Sequence, residues 1–501
     1  MKTPINAKED NQVKSSKITK RADDYSKWYL DVIREAALLD DSPVKGCMVI
    51  RPYGFALWEK IQSILDAKFK ETGVENAYFP LLIPKSFFEK EAKHVDGFAK
   101  ECAVVTHHRL EMGDNGKLIP AGELEEPLVI RPTSETIMYS VFARWIQSYR
   151  DLPLLLNQWV NIVRWEMRTR PFLRTTEFLW QEGHTAHASK KEAEDKTLEM
   201  LNIYKEFAEN YLAMPVIPGV KTDSEKFAGA DYTTTIEAMM QDGKALQAGT
   251  SHMLGQNFAK AFEVKFLNQS GEQEYVWQTS WGLSTRIIGA IIMTHSDDKG
   301  LVLPPKIAPI QIAIIPVWTT PAERKLVFAK AELIAEELKS KQNLVVKIDT
   351  TEGRPGPKFF AWEKKGVPLR IEIGPRDVAN DSAIIARRDI DEKNTVSLKD
   401  CSEYVSKILV EIQNNLYNRA LKFREDHTYN VDTYAEFKKL IEKDGCFLLA
   451  HWCGDAQCEE KIKEETKATS RCIPFAQKKE AGKCICCNKK SAKRIIFAKA
   501  Y

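Results

Sequence analysis

Two arginines stand in stretches too apolar for open surface: Arg164 in Val163-Arg164-Trp165-Glu166, and Arg286 in Trp281-Gly282-Leu283-Ser284-Thr285-Arg286-Ile287-Ile288-Gly289. A guanidinium cannot be left dry and unpaired, so the fold must offer each of them an anion or a polar cavity. For Arg164 the local solution is a structural carboxylate such as Glu166 or Glu177, and for the glycines around Arg286 it is close packing of helix on sheet. The functional solution places each planar cation on a phosphate, where it stabilises charge developing at phosphorus.

Apolar spacing organises the rest. Phe55, Trp58, Ile61, Leu65 and Phe69 recur three or four apart and predict an amphipathic helix over 53–70. Residues 154–165, 178–188, 244–254 and 275–283 read as strands, 190–212 and 284–293 as helices, so the first 300 residues or so have an α+β character. Leu303-Pro304-Pro305-Lys306 marks a boundary, after which strands near 310–317, 344–348 and 367–373 alternate with helices near 321–340 and 358–365, the pattern of a small α/β unit. A long helix then runs from about 400 to 426 into a cysteine-bearing tail, giving three folded units in 501 residues.

Lysine plus arginine total 73 against 70 acidic residues, so any surface for a polyanion must be local. The first twenty residues are polar and lysine-rich, and no apolar run approaches the ~18 residues of a membrane span, which predicts a cytoplasmic chain with a loose start. Ten cysteines are too sparse for a disulfide scaffold, yet Cys453, Cys458, Cys484, Cys486 and Cys487 crowd into the tail. Two pairs of thiolates at that spacing suit structural zinc, the alternatives being a redox pair or a site that has lost its metal.

Two further segments carry polar groups in apolar settings. Arg131-Pro132-Thr133-Ser134-Glu135-Thr136 opens a helix; its hydroxyls suit capping, but capping does not call for Arg131 and Glu135, and the carboxylate is placed to hold an amine. Gln247-Ala248-Gly249-Thr250-Ser251-His252 sets polar side chains on a strand, where a histidine alone would read as a satisfied core residue.

Together these segments resemble the class II aminoacyl-tRNA synthetases, and within them the prolyl-tRNA synthetases of the archaeal and eukaryotic type with a C-terminal cysteine domain. Tyr78-Phe79-Pro80-Leu81-Leu82-Ile83-Pro84 is similar to motif 1, the segments around Arg164 and Arg286 to motifs 2 and 3, and those at 131–136 and 247–252 to the prolyl signatures. The resemblance implies an antiparallel catalytic domain over 21–303 after a flexible 1–20, an α/β anticodon-binding domain over 304–405, and a small α/β zinc-binding domain over 406–501. It implies proline–tRNA ligation with ATP, Mg²⁺ and Zn²⁺, acting on L-proline and the proline tRNA as a homodimer; a tRNA-binding regulator without charging activity is the alternative. By the same resemblance Thr133, Glu135, Arg164 and His252 hold proline, while Arg164, Glu166, Thr175, Gln247, Thr250, Ser284 and Arg286 hold ATP. Phe98 and Glu101 belong to a loop over the site, and Lys358, Trp362, Glu372 and Arg376 to the anticodon surface. The resemblance favours Cys453, Cys458, Cys484 and Cys486 as zinc ligands, with Cys487 as the alternative fourth, and brings the terminal Tyr501 to the catalytic domain through its carboxylate.

Overall fold

The computed structural model describes residues 18–92, 101–443, 445–477 and 479–501. The helix expected over 53–70 runs Pro52–Glu71, with proline at its first turn, and buries Leu57, Trp58, Ile61, Leu65 and Phe69. Phe55 drops out of that face and lies 40% exposed.

Six strands form the antiparallel body of the first unit, in the order Val216–Val220, Tyr232–Met239, Ala245–Gly255, Trp277–Ser284, Glu177–His187 and Leu154–Val163. Helices Pro52–Glu71, Lys190–Asn210 and Arg286–His295 share one large apolar core with Leu246, Ala248, Trp281 and Leu283. Strand pairing puts Ser280 opposite both His252 and His184, and Gly282 opposite both Thr250 and Glu182. Because side chains alternate along a strand, these polar residues share the other sheet face, away from that core.

The second unit is a five-stranded sheet in the order Val346–Ile348, Ile312–Pro316, Leu369–Ile373, Ser382–Arg387, Lys393–Ser397. Its first three strands are parallel, as strands separated by helices must often be. Helix Cys401–Asp426 crosses the boundary expected at 405/406: Val405, Ile408, Leu409, Ile412 and Leu416 belong to this unit's core.

Apart from the two-stranded pair Gly482–Lys483 and Lys490–Ser491, the described strands of the tail join the sheet of the first unit. Thr428–Val431, Phe447–His451, Arg494–Ala498 and Thr469–Pro474 pair in that order, and Thr469–Pro474 then joins Val216–Val220; with the short strand Glu75–Asn76 beside Leu154–Val163 at the far edge, the sheet of the first unit reaches eleven strands. Single-strand patterning cannot reveal such a join, because a free edge strand and a paired one have the same side-chain alternation.

His295 ends the motif 3 helix fully buried, its Nε2 hydrogen-bonded to the Leu212 carbonyl at 2.8 Å. Burial pushes its pKa down to about 3, with a smaller push from Arg419, against the opposing Leu212 bond. An unfolded histidine titrates near 6.5, so on acidification the unfolded chain takes up this proton first. The group's contribution is therefore complete above pH ~6.5 and drains between there and about 3. Replacing His295 with Gln is expected to flatten stability against pH over that window by up to ~1.4 kcal/mol per pH unit. Denaturant melts at pH 7 and 5 check this, and parallel dependences in both proteins would refute it.

Candidate active site

Arg131 is fully buried and spent on backbone: its guanidinium donates to the Phe79 carbonyl at 2.8 Å and to the Asn161 carbonyl at 3.0 and 3.2 Å. It ties the motif 1 segment and the strand Leu154–Val163 to the loop that presents Thr133 and Glu135. Ser134 stands at the N-cap of helix Glu135–Trp145 but does not cap it. Its hydroxyl donates to Glu182, and that same carboxylate oxygen accepts from Gln158 Nε2 at 2.6 Å. His184 completes the group, with Nε2 at 3.0 Å from the other Glu182 oxygen and Nδ1 at 3.1 Å from the Tyr139 hydroxyl.

Burial pushes the Glu182 carboxyl up, but the bonds from His184, Ser134 and Gln158 bring it below its ordinary value. For His184 burial pushes down, and Glu182 with nearby Glu135 more than reverse it. Each partner thus favours the charged form of the other. The run Trp180-Gln181-Glu182-Gly183-His184 continues the segment around Arg164 in the sequence, but sequence reasoning assigns neither Glu182 nor His184 a role; the alternation Trp180, Glu182, His184 was the available signal.

Above this network lies a cavity of about 270 Å³ lined by Thr133, Glu135, Arg164, Gln247, Thr250, His252, Ser284 and Arg286, together with Trp180, Phe227 and Ser280. Arg164 donates from Nε to the Pro132 carbonyl at 2.9 Å, and its guanidinium stands 5.4 and 5.7 Å from the Trp180 and Phe178 ring centres. Neither proposed carboxylate holds it: Glu166 accepts from the Arg168 amide at 2.9 Å and lies 3.7 Å from Arg174, while Glu177 accepts from Asn161 at 2.9 Å. Arg286 likewise donates from Nε to a carbonyl, that of Leu173, at 3.0 Å. Among the described residues no carboxylate forms an ion pair with either arginine. Burial, and then the like charges of Arg164, Arg174 and Arg471, push Arg286 down to about 10.

Thr133 donates its hydroxyl to Glu135. His252 is bonded through Nδ1 to the Thr233 hydroxyl at 2.9 Å, and its ring lies 4.8 Å from that of Phe227. Burial, helped by His184, pushes its pKa down to about 3, so it is neutral at physiological pH. The cavity thus brings together two guanidiniums without an ion-pair partner among the described residues, a carboxyl group, a neutral imidazole and aromatic walls.

Glu166 and Thr175 do not line the cavity; Thr175 is buried and Glu166 is turned onto its own loop. Glu101 is exposed, its carbonyl accepting from the Trp165 amide at 3.2 Å, and Phe98 lies outside the described residues. In the second unit Lys358 is buried, donating to the Thr351 carbonyl with Nζ 4.3 Å from the Trp318 ring centre. Glu372 is buried too, accepting from Arg370 at 2.9 Å and Lys393 at 2.8 Å. Trp362 bonds Asp349 at 2.7 Å and borders a second cavity of about 320 Å³ with Arg370 and Arg387; Arg376 is exposed.

In the tail, the sulfurs of Cys453, Cys458, Cys484 and Cys487 all lie within 4.8 Å of one another. Cys487 replaces Cys486 in this group, because the turn after Cys484, closed by the Asn488 amide on the Cys484 carbonyl at 2.9 Å, brings the residue three positions on to the same side. Tyr501 does reach the catalytic unit, by its phenol: the hydroxyl donates to Asp242, and the Arg170 guanidinium of the motif 2 loop stands 5.0 Å from the ring centre.

Comparison with known proteins agrees with this arrangement. Residues 119–295 match the family described as tRNA synthetase class II core domain (G, H, P, S and T), residues 311–408 the anticodon binding domain, and residues 434–501 the prolyl-tRNA synthetase C-terminal domain. A proline–tRNA ligase of Bacteroides fragilis is 58% identical over 492 residues, 97% of this chain and 99% of its own length. The chain belongs to the prolyl-tRNA synthetase family. It is accordingly a class II aminoacyl-tRNA synthetase and a proline–tRNA ligase, as the fold and motifs implied. A second member, from Amoebophilus asiaticus, is 56% identical over 489 residues, 97% of this chain and 99% of its own. Among solved structures, the prolyl-tRNA synthetase of Cryptosporidium parvum complexed with halofuginone and AMPPNP superposes with a TM-score of 0.89 at 42% identity, covering 97% of this chain and 99% of that one.

Proposed function

We propose that the 270 Å³ cavity is where this ligase activates proline, with Arg164 on the α-phosphate of ATP and Arg286 on the γ-phosphate. The observation that carries this reading is the pair of cavity-lining guanidiniums held by backbone carbonyls, with which no carboxylate among the described residues forms an ion pair. Gln247, Thr250 and Ser284 border the same space and complete the ATP site, to which we also assign Glu166, toward adenine, and Thr175. Glu135 answers the secondary ammonium of proline, with Thr133 and neutral His252 beside it.

The proline carboxylate attacks the α-phosphorus, pyrophosphate leaves, and prolyl-adenylate remains. A hydroxyl of the terminal adenosine of tRNA then attacks the prolyl carbonyl carbon, releasing AMP. Catalysis rests on positioning and on cations aimed at developing charge. Magnesium fits the oxygen donors of Gln247 and Thr250 next to the phosphates, whose charge it would offset. The regulator alternative is disfavoured because both arginines stand in place. Trp362 and Arg376, more than the internally spent Lys358 and Glu372, are suited to unpaired anticodon bases. The free thiols suit the reducing cytoplasm, and among the described residues no helix is long and apolar enough to cross a membrane.

Zinc is the metal we assign to Cys453, Cys458, Cys484 and Cys487. Sulfur separations of 3.7 Å (Cys453 to Cys458) and 3.6 Å (Cys487 to Cys453) match the edge of a tetrahedron with Zn–S near ~2.3 Å. The homodimer is supported by Tyr78, Leu82 and Trp145, which lie 74%, 42% and 52% exposed around the motif 1 segment.

Arg286→Gln is expected to slow proline-dependent ATP–pyrophosphate exchange by about 100- to 1,000-fold, the usual cost of one preorganised donor; a rate within about tenfold of the parent would sink the assignment. Cys487→Ser should purify with less than one zinc per chain while Cys486→Ser keeps it, and elemental analysis giving the reverse would return Cys486 to the site. Sedimentation should give a dimer that Leu82→Asp converts to monomer; a monomeric parent contradicts the assembly.

A further inference from the structure

The join between the tail and the catalytic sheet contains more charge than a join requires. Ile473 and Pro474 pair with Val220 and Gly219, and just before them Arg471 reaches across to Glu237, donating from Nε and Nη2 to one carboxylate oxygen at 3.0 and 2.9 Å. The other oxygen accepts from Lys221 Nζ at 2.9 Å and the Thr235 hydroxyl at 3.0 Å. Glu237, Lys221 and Arg471 are 0%, 5% and 8% exposed. One carboxylate with two cations leaves a net positive charge in a dry place, where a single cation would have made a neutral and less costly pair.

The surplus sits next to the ATP cavity. Thr235 and Glu237 lie in the strand whose Thr233 lines that cavity, and their mutual hydrogen bond keeps them on one side despite the bulge between Ile236 and Glu237. Their cross-strand partners are Thr250 and Gln247, both cavity residues. Arg286 feels the group from the other side: after burial, Arg164 and Arg174, Arg471 is the next cause of its lowered pKa, and Glu237 opposes it.

We propose that Arg471, carried by the C-terminal unit, is a positioning residue for ATP: it fixes Glu237, and with it the strand pair bearing Gln247 and Thr250, and leaves an uncompensated positive charge behind the triphosphate. The C-terminal unit is thereby part of the adenylate-forming machinery itself. This rests on the assignment of Gln247, Thr250 and Arg286 to ATP.

The test is tRNA-free ATP–pyrophosphate exchange by the full-length chain. Arg471→Met is expected to raise KM for ATP about tenfold or more with KM for proline within about twofold, and Arg471→Lys to return the ATP value to within about threefold of the parent. Lys221→Met keeps the inter-unit pair but removes the surplus charge, so it should raise KM for ATP as well, even where Arg471→Met does not fold. An unchanged ATP value in Lys221→Met and in any folded Arg471→Met, or equal rises for both substrates, overturns the proposal. Should Arg286→Gln abolish exchange while these variants leave ATP untouched, only this inference falls; silence in Arg286→Gln would remove the ATP assignment beneath it.

Discussion

Two positive side chains on the cavity wall, without an ion-pair partner among the described residues, govern how the catalytic unit is built. Arg164 and Arg286 are held by the carbonyls of Pro132 and Leu173, neutral acceptors that orient a guanidinium without discharging it. Pairing either with a carboxylate would have stabilised the empty protein and blunted its grip on an anion. Keeping them apart from Glu166 and Glu177 therefore requires those carboxylates to be occupied elsewhere, and each is: one on Arg168 and Arg174, the other on Asn161.

The same logic extends below the cavity. Glu135 faces the cavity and accepts from the Thr133 hydroxyl, while the deeper Glu182 is hydrogen-bonded by His184, Ser134 and Gln158. A buried pair whose polar atoms are hydrogen-bonded on both sides is rigid, and a rigid floor fixes the walls of the cavity above it. The His252 imidazole, kept neutral by burial, adds polarity there without adding another cation beside Arg164.

The architecture makes catalytic and peripheral units hard to separate. An eleven-stranded sheet runs from the tail through the active-site strands, Tyr501 lies under the motif 2 loop residue Arg170, and Arg388 of the α/β unit grips Asp297 after the motif 3 helix with two bonds of 2.7 Å. Each contact ends close to an element that carries cavity residues. Modules that look independent in sequence thus share the geometry of one site.

Residue identity and spacing already determined the class II core, the alternating second unit and most of the cavity. Arginines in apolar runs, a carboxylate opening a helix and strand-borne polar residues are local signals, and burial acts on each where it stands. What needed the folded chain were relations between distant segments: Ser134 spent on Glu182 instead of its own helix, Lys358 and Glu372 satisfied internally, Cys487 taking the place of Cys486, and residues 473 and 474 completing a sheet begun near 220. The physical reason is common to all four. A hydrogen-bonding or metal-binding group has several partners of similar worth within reach of its chemistry, and only three-dimensional packing decides which one arrives.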